Sequence, residues 1–342
     1  MPLMSTNLST DLIRAFPKVE LHIHLEACIS GERIEQLAHA AEVPMLRPVD
    51  QLFQYTSLAD FLATYEWWCD LLRTPDIAEQ VAYEAAAQMS LDGIVYADVL
   101  MGPKYWTHLN EKELIRVLGA GFERAHRDGH ADCRLVPSIS REQSADWAMD
   151  LVEWIGEERP LRVVGLGLDG NEAVLGRTTE KFENVYARAA ELGLGRTVHA
   201  GESSGPEGVW DALNYLHVDR IDHGVRAIED PALVNRLAAD QITLNMTPTS
   251  NVITGLYPDV SSHPVGEFIE AGVPVTVNSD DPTAMNVTLT GEIEAVSKIH
   301  GWGLDDLVSA MRRAIDAAFC DDDDRLALHG RVVSFLERQE NS

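Results

Sequence analysis

The sequence is poor in cysteine, and its four cysteines are scattered along the chain. None stands at Cys-x-x-Cys spacing, so a cysteine zinc site is not expected. Buried or partly buried free thiols in a reducing compartment are the expectation for such residues. The cysteines are Cys28, Cys69, Cys133 and Cys320.

Basic residues and long apolar runs are also scarce. The 27 Lys and Arg residues are outnumbered by 55 Asp and Glu, which gives a net charge of −28. A surface this acidic argues against nucleic acid and anionic membranes as partners, although a neutral small molecule can still bind. No apolar run approaches the ~20 residues of a membrane span, and Met1–Thr10 lack the pattern of a secretory signal. We therefore expect a cytoplasmic protein.

A repeating pattern organises the chain. A short β-rich apolar run, a polar cluster at its carboxyl end and a helical segment follow one another eight times, without a linker or a shift in composition. This pattern predicts one α/β domain over residues 1–342, a (β/α)8 TIM barrel with its active site at the carboxyl ends of the strands. The runs are Val19–Glu26, Gly93–Met101, Cys133–Ser140, Val163–Asn171, Gly195–Glu202, Asp219–Val225, Ile242–Ser250 and Val273–Pro282.

A long interval, at about residues 29–92, separates the first two runs and carries helical patterns with many aromatic side chains. An insertion after a barrel strand lies over the active-site mouth, so we predict a helical lid that excludes water. Packing of the lid against the barrel is the expected role of most of its aromatic residues. Elsewhere, Arg141–Glu158 is predicted to be a helix with one apolar face, and Asp230-Pro231 and His263-Pro264 are predicted helix starts.

His22 and His24 lie two residues apart in the first run, between Leu21, Ile23 and Leu25. Side chains at i and i+2 of a strand point to the same side, so both imidazoles are expected to project into the barrel. Neutral imidazoles within reach of one point are good ligands for zinc. A single histidine on an apolar face is usually structural, but this pair indicates a metal site.

Three later runs end in ionisable side chains, which a barrel would bring to the same mouth. Burying so many unpaired polar groups beside an apolar core is costly, and a bound metal offsets that cost. The run ends are His199–Glu202, Asp222–Gly224 and Asn278–Pro282.

We expect a single metal ion at this mouth, and we expect it to be zinc. Histidines with one carboxylate suit Zn²⁺ acting as a Lewis acid on a bound water. Four protein ligands leave room for water only if coordination expands to five or one ligand is loose, and Asp280 can also hydrogen-bond that water. Strand four offers Asp169 and Asn171 but no lysine to bridge two metals, which favours one ion. The predicted ligands are His22, His24, His199 and Asp280.

Five segments carry a family resemblance, in the family's order and over nearly the whole chain. They are Pro17–Glu26, Val198–Glu202, Arg220–Gly224, Pro248–Asn251 and Asn278–Pro282. Together they resemble the adenosine/adenine deaminase family of the amidohydrolase superfamily. The resemblance implies hydrolytic deamination of a 6-aminopurine, with attack of water at purine C6 and zinc held by the four predicted ligands.

The resemblance also implies roles for the remaining residues of the site. Glu202 would protonate purine N1, and His223 would orient and deprotonate the water, with Asp280 beside it. Asp281 would hydrogen-bond N7, and the backbone N–H of Gly170 would meet N3. His24 and Glu26 would border the substrate. The acid must be protonated at neutral pH, which a dry pocket favours by raising its pKa.

The substrate stays open between adenosine, adenine and a modified adenine nucleoside. Typical adenosine deaminases resemble His-Leu-Asp-Gly at the first motif, where the aspartate can meet the ribose, whereas this chain has Glu26-Ala27. A longer carboxylate extends further into the ribose space, and adenine deaminases of the family usually have Glu there. The alternatives to deamination are another amidohydrolase reaction, such as hydrolysis of a cyclic amide or a phosphoester, and an inactive binding relative. The oligomeric state also stays open.

Overall fold

The computed structural model of the chain describes residues 8–56 and 58–340. The sequence analysis predicts no secretory signal in Met1–Thr10. Residues 1–7 of that segment lie outside the described part. Among the described helices, none combines the length and the low polarity needed to cross a lipid bilayer.

The described residues contain nine strands, all paired in parallel, in the orders β1-β2-β3-β4-β5 and β6-β7-β8-β9. The strands are β1 (Lys18–His24), β2 (Ile94–Met101), β3 (Asp132–Ser140), β4 (Gly165–Asp169), β5 (Gly195–Arg196), β6 (His199–Ala200), β7 (Arg220–His223), β8 (Thr243–Met246) and β9 (Val275–Val277).

The two sheets continue into each other at both ends. The predicted fifth strand is present as β5 and β6, and between them Thr197 N–H donates to the carbonyl of Leu166 at 3.0 Å. After β9, Asp280 N–H donates to the carbonyl of His22 at 3.1 Å, and His24 N–H donates to the carbonyl of Asp280 at 2.8 Å. The prediction of an α/β TIM-barrel arrangement is confirmed by this order and by the structural relatives described below.

Helix α1 precedes β1, and the other helices lie between or after the strands in chain order. The helices are α1 (Thr10–Ala15), α2 (Gly31–Ala40), α3 (Leu58–Cys69), α4 (Pro75–Leu91), α5 (Glu111–Arg127), α6 (Ala145–Glu158), α7 (Glu172–Leu175), α8 (Glu183–Glu191), α9 (Pro206–Asp211), α10 (Pro231–Asp240), α11 (Pro248–Ile253), α12 (Val265–Glu270), α13 (Pro282–Met285), α14 (Leu289–His300), α15 (Leu304–Ala317) and α16 (Asp322–Glu340).

Three predicted helix starts have different outcomes. Asp230 accepts the N–H groups of Ala232 and Leu233 before Pro231, so this start is confirmed. The start at Arg141 is wrong, because Ser144 accepts the N–H of Trp147 and α6 begins at Ala145. A helix also begins at His263-Pro264, but Pro264 is the N-cap of α12, so the capping role of His263 is wrong, and its ring contacts Asn251 instead.

The interval between β1 and β2 holds α2, α3 and α4. The last of these packs closely on α5, where a Cβ added at Gly121 would lie 2.3 Å from the carbonyl of Glu79. Nearer to the strand ends, Trp68 of α3 donates its indole N–H to the carbonyl of Glu26 at 3.1 Å. Helix α4 therefore belongs to the layer around the strands, and α3 lies against the mouth.

Candidate metal and active site

The structure brings the four predicted ligand residues together. One potential ligand atom from each of His22, His24, His199 and Asp280 lies within 4.8 Å of the other three. Oδ1 of Asp280 is 3.1 Å from Nε2 of His22 and 3.4 Å from Nε2 of His24. Nε2 of His24 is 3.2 Å from Nε2 of His199. Imidazole nitrogens converge here with one carboxylate oxygen, which is a donor set that zinc and similar divalent metals accept.

The protonation states and the charges of the four residues favour a bound cation. Nε2 of His22 is buried and makes no hydrogen bond with suitable angles, although Oδ1 of Asp280 lies close to it. Burial lowers the pKa of His24 to about 4 and places the pKa of His199 well below its usual range, so both rings are neutral and keep a lone pair. Burial also lowers the pKa of His22, but the carboxylates of Asp280 and Asp222 outweigh it and raise the value to about 9. The carboxylates thus create a demand for positive charge, which a metal ion meets.

Two residues of the site hold a left-handed backbone. Asp280 has φ of 65° and His223 has φ of 63°, a region that residues with a Cβ enter at a cost. At Asp280 this turn is tied to β1 by the two backbone hydrogen bonds that flank Ile23. Strain of this kind persists where the surroundings fix it, and here it directs both side chains to the mouth.

His223 lies beside the cluster without belonging to it. Its Nε2 is 3.7 Å from Oε1 of Glu202 and 3.9 Å from Oδ2 of Asp280. Its Nδ1 lies 3.0 Å from the Thr247 hydroxyl and 3.3 Å from the amide nitrogen of Asn251. An amide nitrogen can only donate, so Nδ1 accepts and the proton of the neutral ring lies on Nε2. Burial lowers the pKa of His223 to about 4, which keeps the ring neutral.

Glu202 stands in the turn after β6, with its side chain 24% exposed. Desolvation, followed by the charges of Asp280 and Glu172, raises its pKa to about 8. The carboxyl group is therefore protonated at neutral pH, and it can donate a proton to a small molecule bound beside the metal cluster.

Asp281 and Gly170 lie at the ends of the last and the fourth predicted strands. Burial, followed by the charge of Asp280, raises the pKa of Asp281 well above its usual range, so its carboxyl group can donate a hydrogen bond. Gly170 has φ of +104°, and a side chain there would be strained. The carbonyl of Gly170 and that of His199 accept hydrogen bonds from one guanidinium group, that of Arg141, which places the glycine beside the metal cluster.

Glu26 is 1% exposed and held in one orientation. Its Oε1 accepts the N–H of Gly102 at 2.9 Å and the indole N–H of Trp106 at 2.7 Å. Its Oε2 is buried and has no hydrogen-bond partner. Burial raises the pKa of Glu26 to about 7, although these two hydrogen bonds lower it. The side chain thus presents one unpaired oxygen.

The sequence reasoning passed over two pairs of residues that support this site. Thr247 and Asn251 contact the ring of His223, and Asn251 Oδ1 lies 3.0 Å from Nε2 of His263. Arg141 and Glu172 contact the backbone of the site residues. A signal was available for Arg141, because it directly follows the third predicted strand as other site residues follow theirs.

Comparisons with known proteins give one family. The Adenosine deaminase family model matches residues 17–335. An adenine deaminase of Cupriavidus metallidurans is 34% identical over 318 residues, covering 91% of this chain and 89% of the relative. An adenine deaminase of Streptomyces coelicolor is 33% identical over 324 residues, covering 92% of this chain and 94% of the relative.

Two solved structures, one of them of an adenine deaminase, also resemble this chain. The crystal structure of an adenine deaminase from Arthrobacter aurescens has a TM-score of 0.86 at 27% identity, covering 94% of this chain and all of that one (100%). The crystal structure of an amidohydrolase from Burkholderia ambifaria, with bound Zn, has a TM-score of 0.88 at 28% identity, covering 99% of this chain and 96% of that one.

Proposed function

This chain belongs to the adenosine deaminase family, and we propose that it hydrolyses adenine to hypoxanthine and ammonia. One observation carries the proposal. A carboxyl group that is protonated at neutral pH, that of Glu202, lies 3.7 Å from the neutral ring of His223, beside a cluster of three histidines and one aspartate. Hydrolysis at purine C6 needs this combination of a proton donor, a group that orients water and a metal site.

The cofactor is one zinc ion per chain, held by His22, His24, His199 and Asp280. The donor set and the Zn-containing relative from Burkholderia ambifaria support this choice. A bound zinc ion supplies Lewis acidity, which polarises a water molecule and lowers its pKa.

Three side chains of the protein manage the protons. Glu202 donates its proton to N1 as water attacks C6. The attack breaks the aromaticity of the ring and places negative charge on N1, which this proton neutralises. The Nε2–H of His223 orients the water oxygen. Because Nε2 already carries the ring proton, His223 does not take the proton of the water as the resemblance implies, and Oδ2 of Asp280 takes it instead. That proton passes to the departing amine, the C6 hydroxyl returns a proton to Glu202, and ammonia leaves.

Three other residues recognise the purine. The N–H of Gly170 donates to N3, and the protonated carboxyl group of Asp281 donates to N7. The unpaired Oε2 of Glu26 accepts the N9–H, a donor that free adenine has and adenosine lacks. Because Gly102 and Trp106 hold Glu26 in place, its carboxyl group fills space that a ribose would need. The names of the adenine deaminase relatives agree with this choice of the free base.

The test is a comparison of 6-aminopurines with the purified zinc-loaded protein. Adenine, adenosine, 2′-deoxyadenosine and N6-methyladenosine are supplied separately, and ammonia release is measured. Adenine is expected to have the highest kcat/KM. Absence of turnover across the whole panel would sink the proposal, and a preference for a nucleoside would reverse its assignment of the substrate.

A further inference from the structure

A buried ion pair outside the metal cluster joins three parts of the site. Arg141 and Glu172 are 7% and 5% exposed, and Nη2 of Arg141 lies 3.7 Å from Oε1 of Glu172. Arg141 directly follows β3, and Glu172 is the first residue of α7 after β4. The two side chains meet next to the carboxyl end of β6.

The guanidinium group of Arg141 connects the fourth strand end with the metal cluster. Its Nη1 donates to the carbonyl of Gly170 at 2.8 Å, and its Nη2 donates to the carbonyl of His199 and to the hydroxyl of Thr178. A planar guanidinium presents its donors in a fixed geometry, so the positions of the two carbonyls are coupled. Arg141 thereby sets the distance between the purine-contacting glycine and a metal ligand.

The carboxylate of Glu172 fixes the turn that carries the acid. Its Oε2 accepts the backbone N–H of Glu202 at 3.1 Å and that of Ser204 at 3.2 Å. Its Oε1 accepts the Ser204 hydroxyl at 2.7 Å. Charge-assisted hydrogen bonds to two N–H groups of one turn hold its backbone, and they determine where the Glu202 side chain begins.

We propose that Arg141 and Glu172 are positioning residues for the deamination, which hold Gly170, His199 and Glu202 in one arrangement. The proposal rests on the proposed function. Stability alone gives little reason for such a pair, because burying two charges costs desolvation and an apolar pair of similar volume often stabilises a fold at least as well. Catalysis gives a reason, because a displacement of about 1 Å at a reacting group can cost about 100-fold in rate.

Glu172 also influences the proton of Glu202. Two negatively charged groups, Asp280 and Glu172, raise the pKa of Glu202. The guanidinium of Arg141 lowers it, as does His22 while no metal is bound. The neutral ring of His223 and the carboxyl group of Asp281 also face Glu202. Replacing Glu172 by Gln removes one of the two negative charges. The Glu202 pKa then falls, and the alkaline limb of kcat/KM moves to lower pH.

The experiment compares Glu172→Gln and Arg141→Lys with wild type, all zinc-loaded, with adenine as substrate. Glu172→Gln should lower kcat roughly 10- to 100-fold, with zinc content unchanged and the alkaline limb at lower pH. Arg141→Lys should also lower kcat, because a lysine is a point charge that cannot hold two carbonyls in a fixed geometry. The matched control is Glu153→Gln. Glu153 accepts two hydrogen bonds from Arg188 on the outer helices. Its replacement removes a carboxylate there and should change neither kcat nor the pH of the alkaline limb.

Two results overturn the proposal. One is a kcat within about twofold of wild type in both folded variants. The other is a loss of zinc that matches the loss of activity, which would make the pair a support of the metal site only.

Should both variants fail to fold, Ser204→Ala decides, since it removes only one hydrogen bond to Glu172. It is expected to lower kcat about threefold, and an unchanged kcat in it is contrary to the proposal. A wild-type protein that does not hydrolyse adenine refutes the proposed function instead.

Discussion

Asp280 faces the metal ligands with one oxygen and His223 with the other: Oδ1 lies 3.1 Å from Nε2 of His22, and Oδ2 lies 3.9 Å from Nε2 of His223. One carboxylate is thus shared between metal binding and the handling of water. Oε1 of Glu202 lies 3.7 Å from the same Nε2 of His223, and Glu202 contacts no metal ligand at hydrogen-bond distance among the described residues. Metal binding and proton donation are therefore expected to fail separately when they are altered separately.

Replacing Glu202 by Gln should abolish turnover of adenine while leaving zinc content near that of wild type. Gln has a similar shape but cannot donate a carboxylic proton to N1, and general acid catalysis of this kind contributes about 100- to 10,000-fold. Metal analysis and ammonia release on the same samples check both parts. Glu207→Gln, at an exposed residue of α9, is the control and should keep full activity. Loss of zinc in Glu202→Gln would make Glu202 a ligand.

The activity should decline as the pH rises through the pKa of Glu202. Desolvation raises this pKa to about 8, and the reaction needs the protonated form. All of the protein therefore carries the protonated, active form well below that pKa, and this share falls to zero above it. Because a bound divalent cation favours the carboxylate, the limb is expected at or below about pH 8. A profile of kcat/KM that stays level to about pH 10 would exclude Glu202 as the acid.

Removal of the metal should abolish activity and destabilise the fold. Chelation is expected to remove turnover, and added Zn²⁺ is expected to restore it. At a zinc concentration of 100 times Kd, binding adds about 2.7 kcal/mol to the free energy of unfolding, a rise in Tm of roughly 4 °C. His22→Ala should show neither the activity nor the shift in Tm, whereas His39→Ala, on the exposed side of α2, should show both. A Tm that is the same with and without zinc speaks against a site in the native fold.

Shortening the carboxylate at position 26 should alter the choice between adenine and adenosine. Glu26→Asp withdraws the oxygen that accepts N9–H and frees space for a ribose. The ratio of kcat/KM for adenine to that for adenosine is expected to fall at least about tenfold. Trp106→Phe, which removes one of the two hydrogen bonds that hold Glu26, should change the ratio in the same direction by a smaller factor. An unchanged ratio in both variants removes Glu26 from substrate selection.

The sequence predicted those parts of the site that lie on or directly after strands. Alternation along β1 places His22 and His24 on one side, and the ends of parallel strands meet at one edge, so His199 and Asp280 could be assigned to the same cluster. The strand periodicity was strong enough to give the barrel arrangement as well.

The contacts that fix the site could not be predicted in the same way. The apolar spacing of Trp147, Leu151 and Ile155 sets no clear N-terminal limit and so includes Arg141 in the predicted helix, whereas the N-cap at Ser144 starts the helix at Ala145, four residues later than predicted. The contact of His263 with Asn251 joins the segment before α12 to helix α11. Such pairings depend on tertiary geometry, which local patterns do not encode.

The most direct test of the central claim is the initial rate of ammonia release from adenine and from adenosine by the zinc-loaded protein, with hypoxanthine and inosine identified as products. We predict that adenine is converted to hypoxanthine with the higher kcat/KM. Equal or faster conversion of adenosine would contradict the assignment of Glu26, and release of ammonia from neither compound would contradict the function itself.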